Sequence, residues 1–162
     1  MGDLPIPTSG FTLPDPFIHP LTLGLPNADA TRQLGISLGK TLPAGSILLL
    51  EGNLGSGKTT LVQGIGQGLG IKEPIASPTF ILLNEYPEGR IPLYHFDLYR
   101  LDPSEVEALC LETYWSGGEY PPGIVAIEWA DRLSYIPPNA LKIQLTYTAL
   151  GEREVCLRRS EE

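Results

Sequence analysis

Apolar runs alternate with glycine- and proline-containing turns along the chain, and their periodicity separates strands from helices. Residues 47–50 form an unbroken apolar run, and residues 123–127 form a second one. Continuous runs of this length are typical of parallel strands that are covered on both faces. Leu61, Ile65 and Leu69 instead recur every four residues, which predicts one apolar face of a helix.

The same patterns predict the remaining elements. A short strand at residues 21–23 precedes a helix that has Asn27 as its candidate N-cap and ends near Thr41. Two apolar, aromatic-rich runs separated by a turn indicate an antiparallel hairpin, and alternation about Gly151 indicates a terminal one. The first hairpin spans residues 80–86 and 91–97, a helix opens at residues 102–105, and the terminal hairpin spans residues 141–148 and 152–157.

A glycine loop joins the first apolar run to the periodic helix. Gly52, Gly55, Gly57, Lys58 and Thr59 fit the pattern G-x-x-x-x-G-K-[ST] without a mismatch. Glycines let the backbone curl so that successive N–H groups point inward at phosphate oxygens, and the helix N-terminus adds partial positive charge. The sequence therefore predicts a nucleoside triphosphate site with Mg²⁺, in which the lysine reaches the phosphates and the threonine hydroxyl binds the metal. Its nucleotide-binding residues are Gly52, Asn53, Leu54, Gly55, Ser56, Gly57, Lys58, Thr59 and Thr60.

Composition and charge narrow the function further. A chain of 162 residues with a net charge of −8 does not favour direct binding of nucleic acid, which needs clustered Lys and Arg. Two isolated cysteines, no long apolar run and no secretory signal predict a cytoplasmic protein with reduced thiols. Residues 1–20 form a proline-rich tail that we expect to be poorly ordered, residues 21–158 a single domain, and residues 159–162 a charged end.

Two carboxylates follow apolar runs at places where a phosphate loop needs acidic partners. Glu128 is the first charge after the run at residues 123–127, so it is the candidate Mg²⁺ ligand, and an ordinary strand-end carboxylate is the alternative. Asp97 ends the preceding strand and is a candidate catalytic residue together with Lys58. Asp97 alternatively caps the next segment and pairs with Arg100.

Period-two alternation puts His95 and Asp97 on one face of their strand, and Tyr94 and Phe96 on the other. A lone histidine is more often a structural residue, so we assign His95 no catalytic role. Thr79 lies in a proline-bounded loop after the phosphate-loop helix, where related nucleotidases place switch loops that sense the terminal phosphate. An ordinary turn is the alternative there.

Four motifs stand in order along the chain: residues 51–60, residues 77–80, the string His95-Phe-Asp-Leu-Tyr-Arg100, and Glu128-Trp129. Together they resemble the TsaE (YjeE) family of small P-loop ATPases of bacterial tRNA threonylcarbamoyladenosine biosynthesis. The resemblance covers about residues 21–157. It implies a three-layer α/β fold of the P-loop nucleotide hydrolase type, with a mixed central sheet and a C-terminal β-hairpin.

The resemblance also implies function. Family members hydrolyse ATP to reset a TsaB–TsaD complex that modifies the adenosine beside the tRNA anticodon, so tRNA is met only indirectly. Carried over, Thr59 and Glu128 hold Mg²⁺, Asp97 is needed for turnover, and Trp129 lies near the nucleotide or the partner. Asn27 and Arg153 match positions that contact the nucleotide.

The chain departs from the family at Asn53, where Asp is usual, and at Cys110, where Gly is common. Two other functions compete with the slow, partner-activated ATPase. A small-molecule kinase needs a second substrate pocket and a basic lid, and residues 70–91 hold few basic side chains. A nucleotide-gated binding module without significant hydrolysis is the second alternative.

Overall fold

The computed structural model describes residues 4–5, 20–53, 55–76 and 82–160. Predicted helices and strands are present at the expected places in these ranges. The helices are α1 (Ala28–Thr41), α2 (Lys58–Leu69) and α3 (Pro103–Ala108), with 3-10 turns at Leu111–Tyr114 and Ala130–Arg132. The strands are β1 (Leu4–Pro5), β2 (Leu21–Leu25), β3 (Ile47–Glu51), β4 (Leu83–Tyr86), β5 (Leu93–Asp97), β6 (Ile124–Glu128), β7 (Leu141–Tyr147) and β8 (Arg153–Arg159).

The described strands form one mixed sheet in the order β1-β2-β8-β7-β3-β6-β5-β4. Its centre is parallel, because β3 pairs in parallel with β6 and β7, and β6 pairs in parallel with β5. The two predicted hairpins, β4–β5 and β7–β8, are antiparallel and extend the sheet on either side. The phosphate-loop strand β3 therefore lies between the two strands whose carboxyl ends flank the loop.

Separate apolar cores cover the two faces of the sheet. On one face α1 and α2 pack through Leu34, Leu38, Leu61 and Ile65 against β3, β6, β7 and their neighbours. On the other face β5 and β6 pack against α3 and the 3-10 turns. Because helical residues cover both sides of the sheet, the prediction of a three-layer α/β fold with a mixed sheet is confirmed.

Glycines let α1 and α2 cross with their backbones in contact. A methyl group added at Gly35 would overlap the Leu61 carbonyl oxygen, and one added at Gly64 would overlap the Arg32 carbonyl oxygen. Gly39 and Gly68 repeat this arrangement one turn further along the two helices. The close crossing brings the N-terminal turn of α1 beside the loop that precedes α2.

The ends of the chain differ in part from the sequence-based boundaries. Leu4–Pro5 pairs in parallel with β2, and the rest of residues 1–19 lies outside the described residues. At the other end β8 reaches Arg159, and the Ser160 hydroxyl donates to the Pro137 carbonyl and accepts from the Ala140 N–H. The described fold thus continues two residues past the predicted boundary at 158.

Candidate functional site

The glycine loop is held in a shape that side chains larger than hydrogen would prevent. Gly52, Gly55 and Gly57 all have positive φ angles, and a methyl group at Gly52 would overlap Ser56 Oγ and the Leu145 carbonyl oxygen. Gly57 is the N-cap of α2, and neither a side-chain cap nor an acidic residue occupies the first turn of that helix. The N–H groups of this turn are therefore available to an anion. Leu54 lies outside the described residues.

Lys58 begins α2 and folds back over the loop. Its Nζ donates a hydrogen bond of 2.5 Å to the Gly52 carbonyl and lies 4.1 Å from the centre of the Trp129 ring. Burial lowers the pKa of Lys58, while the nearby charges of Glu128, Asp97 and Asp131 partly oppose that shift. The ammonium group thus sits in a partly desolvated, acidic setting where a phosphate would be a stronger partner than a carbonyl.

Asp97 and Glu128 come together at the carboxyl ends of neighbouring strands. The parallel register of β5 and β6 pairs Asp97 directly with Glu128, and both side chains are buried. Asp97 Oδ1 accepts a hydrogen bond of 2.9 Å from the Tyr99 N–H, which is the contact expected of a carboxylate that caps the next segment. The capping alternative is therefore observed for this oxygen, while a role of Asp97 in turnover stays a prediction.

His95 makes a contact that the sequence did not predict. Its Nε2 lies 2.5 Å from Glu128 Oε2, and the ring is fully buried. The alternation that sends Tyr94 and Phe96 into the opposite core is confirmed, and it points His95 toward the phosphate-loop side. Periodicity gives the face of a residue but not its neighbour on another strand, so the pairing with Glu128 needed the register of β5 against β6.

Trp129 follows β6 with a φ of 58°, in the left-handed region, and its ring contacts Tyr99 at a centroid distance of 4.8 Å. This backbone turn aims the indole at Lys58. Trp129, Asn53, Ser56 and Tyr147 are among the residues that line a cavity of about 580 Å³ beside the loop. Trp129 thus lies beside the loop, and its predicted place near the nucleotide or the partner stays a prediction.

The terminal hairpin reaches the loop through two side chains. The Tyr147 hydroxyl donates a hydrogen bond of 2.9 Å to the Gly55 carbonyl, and the Arg153 guanidinium lies 5.7 Å from the Tyr147 ring centre. A methyl group added at Gly57 would lie 3.3 Å from Arg153 Nη1. The structure thus places Arg153 beside the loop, while its contact with the nucleotide stays a prediction. It adds Tyr147, which the sequence did not indicate because its strand pattern carried no motif.

The first turn of α1 approaches the loop from the other side. Asn27 is the N-cap of α1, and its side chain accepts a hydrogen bond of 2.8 Å from the Ala30 N–H. Thr31 is fully buried, its methyl group lies 3.6 Å from a methyl added at Gly57, and its hydroxyl has no hydrogen-bond partner among the described residues. Asn27 therefore has a structural task, and Thr31 is an α1 side chain that lies at the loop.

Three further observations concern the candidate switch residue, metal-binding clusters and membrane spans. Thr79, the candidate switch residue, lies outside the described residues together with the rest of its loop. Across the described ranges, no set of three or more His, Cys, Asp or Glu side chains is arranged to hold a metal ion by itself, and no helix has the length and hydropathy to cross a membrane.

The chain is similar to proteins of one family over most of its length. The family model described as threonylcarbamoyl adenosine biosynthesis protein TsaE matches residues 25–155. The tRNA threonylcarbamoyladenosine biosynthesis protein TsaE of Nostoc sp. is 62% identical over 130 residues, which are 80% of each chain. The protein of the same name from Synechocystis sp. is 57% identical over 113 residues, covering 70% of this chain and 72% of that one.

A solved structure shows the same fold. The crystal structure of Bacillus subtilis YdiB superposes with a TM-score of 0.71 and 30% sequence identity, covering 87% of this chain and 86% of that chain. The family match spans the glycine loop, Asp97, Glu128 and Arg153. The similarity therefore includes the residues that converge at the candidate site.

Proposed function

This chain belongs to the TsaE family of threonylcarbamoyl adenosine biosynthesis proteins, and on that basis we propose that it is a Mg²⁺-dependent ATPase of tRNA threonylcarbamoyladenosine biosynthesis. One observation carries the proposal. Lys58 lies at the uncapped N-terminus of α2, within the electrostatic reach of the in-register carboxylates Asp97 and Glu128. This arrangement offers amide donors and a cation to a polyphosphate, and carboxylates to its metal.

The donor set suits Mg²⁺. Thr59 and Glu128 provide a hydroxyl and a carboxylate, the hard oxygen ligands that this ion prefers. A complete protein cage is not required, because Mg²⁺ in phosphate sites keeps water ligands and shares the substrate's oxygens. When bound, the ion neutralises charge on the phosphates.

The chain's own groups perform the remaining tasks. The N–H groups of residues 52–60 bind and orient the phosphates, and Lys58 exchanges its bond to the Gly52 carbonyl for phosphate oxygens. Asp97 Oδ1 stays fixed by the Tyr99 N–H, which holds the carboxylate where it orients an attacking water. Arg153 adds positive charge from the terminal hairpin at the edge of the loop.

The output of hydrolysis is the resetting of a TsaB–TsaD-like protein complex. The net charge of −8 favours binding to a protein over direct binding to tRNA, because the tRNA phosphates would repel an acidic protein. In this proposal tRNA is reached only through the partner, and the protein works in the cytoplasm.

Phosphate release from Mg·ATP by the full chain, with and without the TsaB–TsaD complex, tests the proposal. We expect slow release alone, faster release with the complex, and a loss of about 100-fold in Lys58→Ala. Lys72→Ala is the matched control, since Lys72 is exposed beyond the end of α2. Glu128→Ala should weaken Mg²⁺-dependent hydrolysis far more than it weakens folding.

Two outcomes favour the competing functions. Transfer of the labelled terminal phosphate to a small acceptor, instead of water, would identify a kinase. Tight nucleotide binding without turnover, even with the TsaB–TsaD complex present, would identify a nucleotide-gated binding module. No heat with millimolar Mg·ATP or ADP in calorimetry would reject all three.

A further inference from the structure

His95 is a buried polar group to which the proposed chemistry gives no task. It lies in β5, two residues before Asp97, with its ring fully enclosed on the phosphate-loop side of the sheet. Burying a histidine is costly unless its polar atoms are bonded, so a fully buried ring with one bonded nitrogen needs an explanation. The bonded nitrogen is Nε2, and its partner is Oε2 of Glu128.

The hydrogen bonds of the ring indicate which nitrogen is the donor. Nδ1 has no partner among the described residues, so a hydrogen on that atom would be buried and unsatisfied. A hydrogen on Nε2 instead points at a carboxylate oxygen, which can only accept when ionised. The network therefore assigns the Nε2–H tautomer, in which the ring donates to Glu128.

The Glu128 carboxylate, which receives this bond, also interacts electrostatically with Lys58 at the end of the glycine loop. Among the charges that act on Lys58, that of Glu128 has the largest effect. Within the described part of the chain, the bond from His95 is the hydrogen bond that the Glu128 carboxylate receives. Without it, the carboxylate would be buried next to Lys58 with freedom to change rotamer.

We propose that His95 is a positioning residue that holds the Glu128 carboxylate in one orientation toward Mg²⁺ at the phosphate loop. The inference rests on the proposed role of Glu128 as the acidic metal-site residue. Carboxylates at metal sites are themselves hydrogen-bonded, and loss of such outer partners typically costs 10- to 100-fold in metal affinity or activity. His95 acts through Glu128 and touches neither nucleotide nor metal.

The test is the gain in ADP affinity that Mg²⁺ produces, measured by calorimetry in excess Mg²⁺ and in EDTA. In His95→Leu we expect the gain to fall about tenfold or more, while affinity in EDTA is unchanged. His95→Gln should recover most of the gain, because its amide nitrogen reaches about as far as Nε2. His95→Asn, whose amide is too short, should behave as His95→Leu does and serves if the leucine variant does not fold.

Phe96→Leu is the matched control. Phe96 is the next residue of the same strand and equally buried, but it packs into the opposite core. We expect this variant to lose stability on heating and to keep the full gain from Mg²⁺. A gain that survives in whichever of His95→Leu and His95→Asn folds would overturn the inference, as would a loss of equal size in EDTA.

The same measurements distinguish failure of the proposed function from failure of the inference about His95. If the wild-type chain shows no gain from Mg²⁺, the role of Glu128 is rejected and the inference falls with it. If the wild type shows the gain and the histidine variants keep it, the role of His95 is rejected while the ATPase proposal stands.

Discussion

At the scale of single residues, removal from water raises the pKa of several tyrosines. An aromatic cluster on the α3 side of β5 consists of Tyr94, Tyr114 and Tyr120. The rings of Tyr114 and Tyr120 are stacked at a centroid distance of 4.1 Å. Burial raises the pKa of Tyr94 and of Tyr114, and the hydrogen bond with Tyr120 adds to the shift of Tyr114. Partial desolvation, together with the charge of Glu112 and the hydrogen bond to its carboxylate, raises the pKa of the half-exposed Tyr135 to about 12.

These shifts predict how stability depends on alkaline pH. Above pH 10.0, the usual pKa of tyrosine, the unfolded chain loses phenolic protons that the folded chain retains, so the free energy of unfolding falls as pH rises. Tyr114→Phe removes one such group, and we expect its stability to decline less steeply between pH 10 and 11.5. Urea unfolding at a series of pH values measures the slope, with Tyr99→Phe as the control outside the cluster. Equal slopes in all three proteins would contradict the assignment.

At the scale of elements, the crossing of α1 and α2 sets the distance between the first helix and the phosphate loop. We expect Gly64→Ala to lower the free energy of unfolding by about 1–3 kcal/mol, because the added methyl overlaps the Arg32 carbonyl. This cost exceeds the gain of about 0.5–1 kcal/mol that alanine brings to a helix interior. Chemical denaturation measures the change.

Gly118→Ala is the control for that experiment. Gly118 lies in a loop, and a methyl added there meets no atom within 4 Å. It should leave stability nearly unchanged. If Gly64→Ala were as stable as the wild type, the close helix crossing would be incorrect.

The N-cap of α1 gives a second prediction at this scale. Asn27→Ala loses the hydrogen bond to the Ala30 N–H, so we expect a loss of about 1 kcal/mol in unfolding free energy, which Asn27→Ser should restore. Calorimetry with ADP separates capping from nucleotide contact. If Asn27→Ser is stable but binds ADP more weakly, Asn27 contacts the nucleotide directly, as its sequence position suggested.

At the scale of the whole molecule, the strand that Leu4–Pro5 forms lies at one edge of the sheet. β1 pairs with β2, and β8 and β7 separate β2 from the phosphate-loop strand β3. Because residues 1–20 are proline-rich and lack apolar periodicity, we expect removal of residues 1–17 to leave ADP affinity unchanged within twofold, as calorimetry on the truncated chain would measure. A tenfold loss would show that the segment takes part in the site.

The features that could be predicted from the sequence are local ones. Contiguous residues specify the glycine loop, the helix after it, the cap at Asn27, the helix start at residues 102–105 and the two hairpins, because turn chemistry and periodicity act over a few positions. The carboxylates Asp97 and Glu128 were likewise found as charges that end apolar runs. The family resemblance added the expectation that Asn27 and Arg153 contact the nucleotide.

The packing of the elements in three dimensions determines which distant residues meet. The register of β5 against β6 places His95 beside Glu128, the β7–β8 hairpin carries Tyr147 to Gly55, and the glycine crossing sets Thr31 beside Gly57. Each contact joins segments whose separation in the chain says nothing about their separation in space. Local patterns specify which face of an element a residue occupies, whereas its partner depends on how the elements pack.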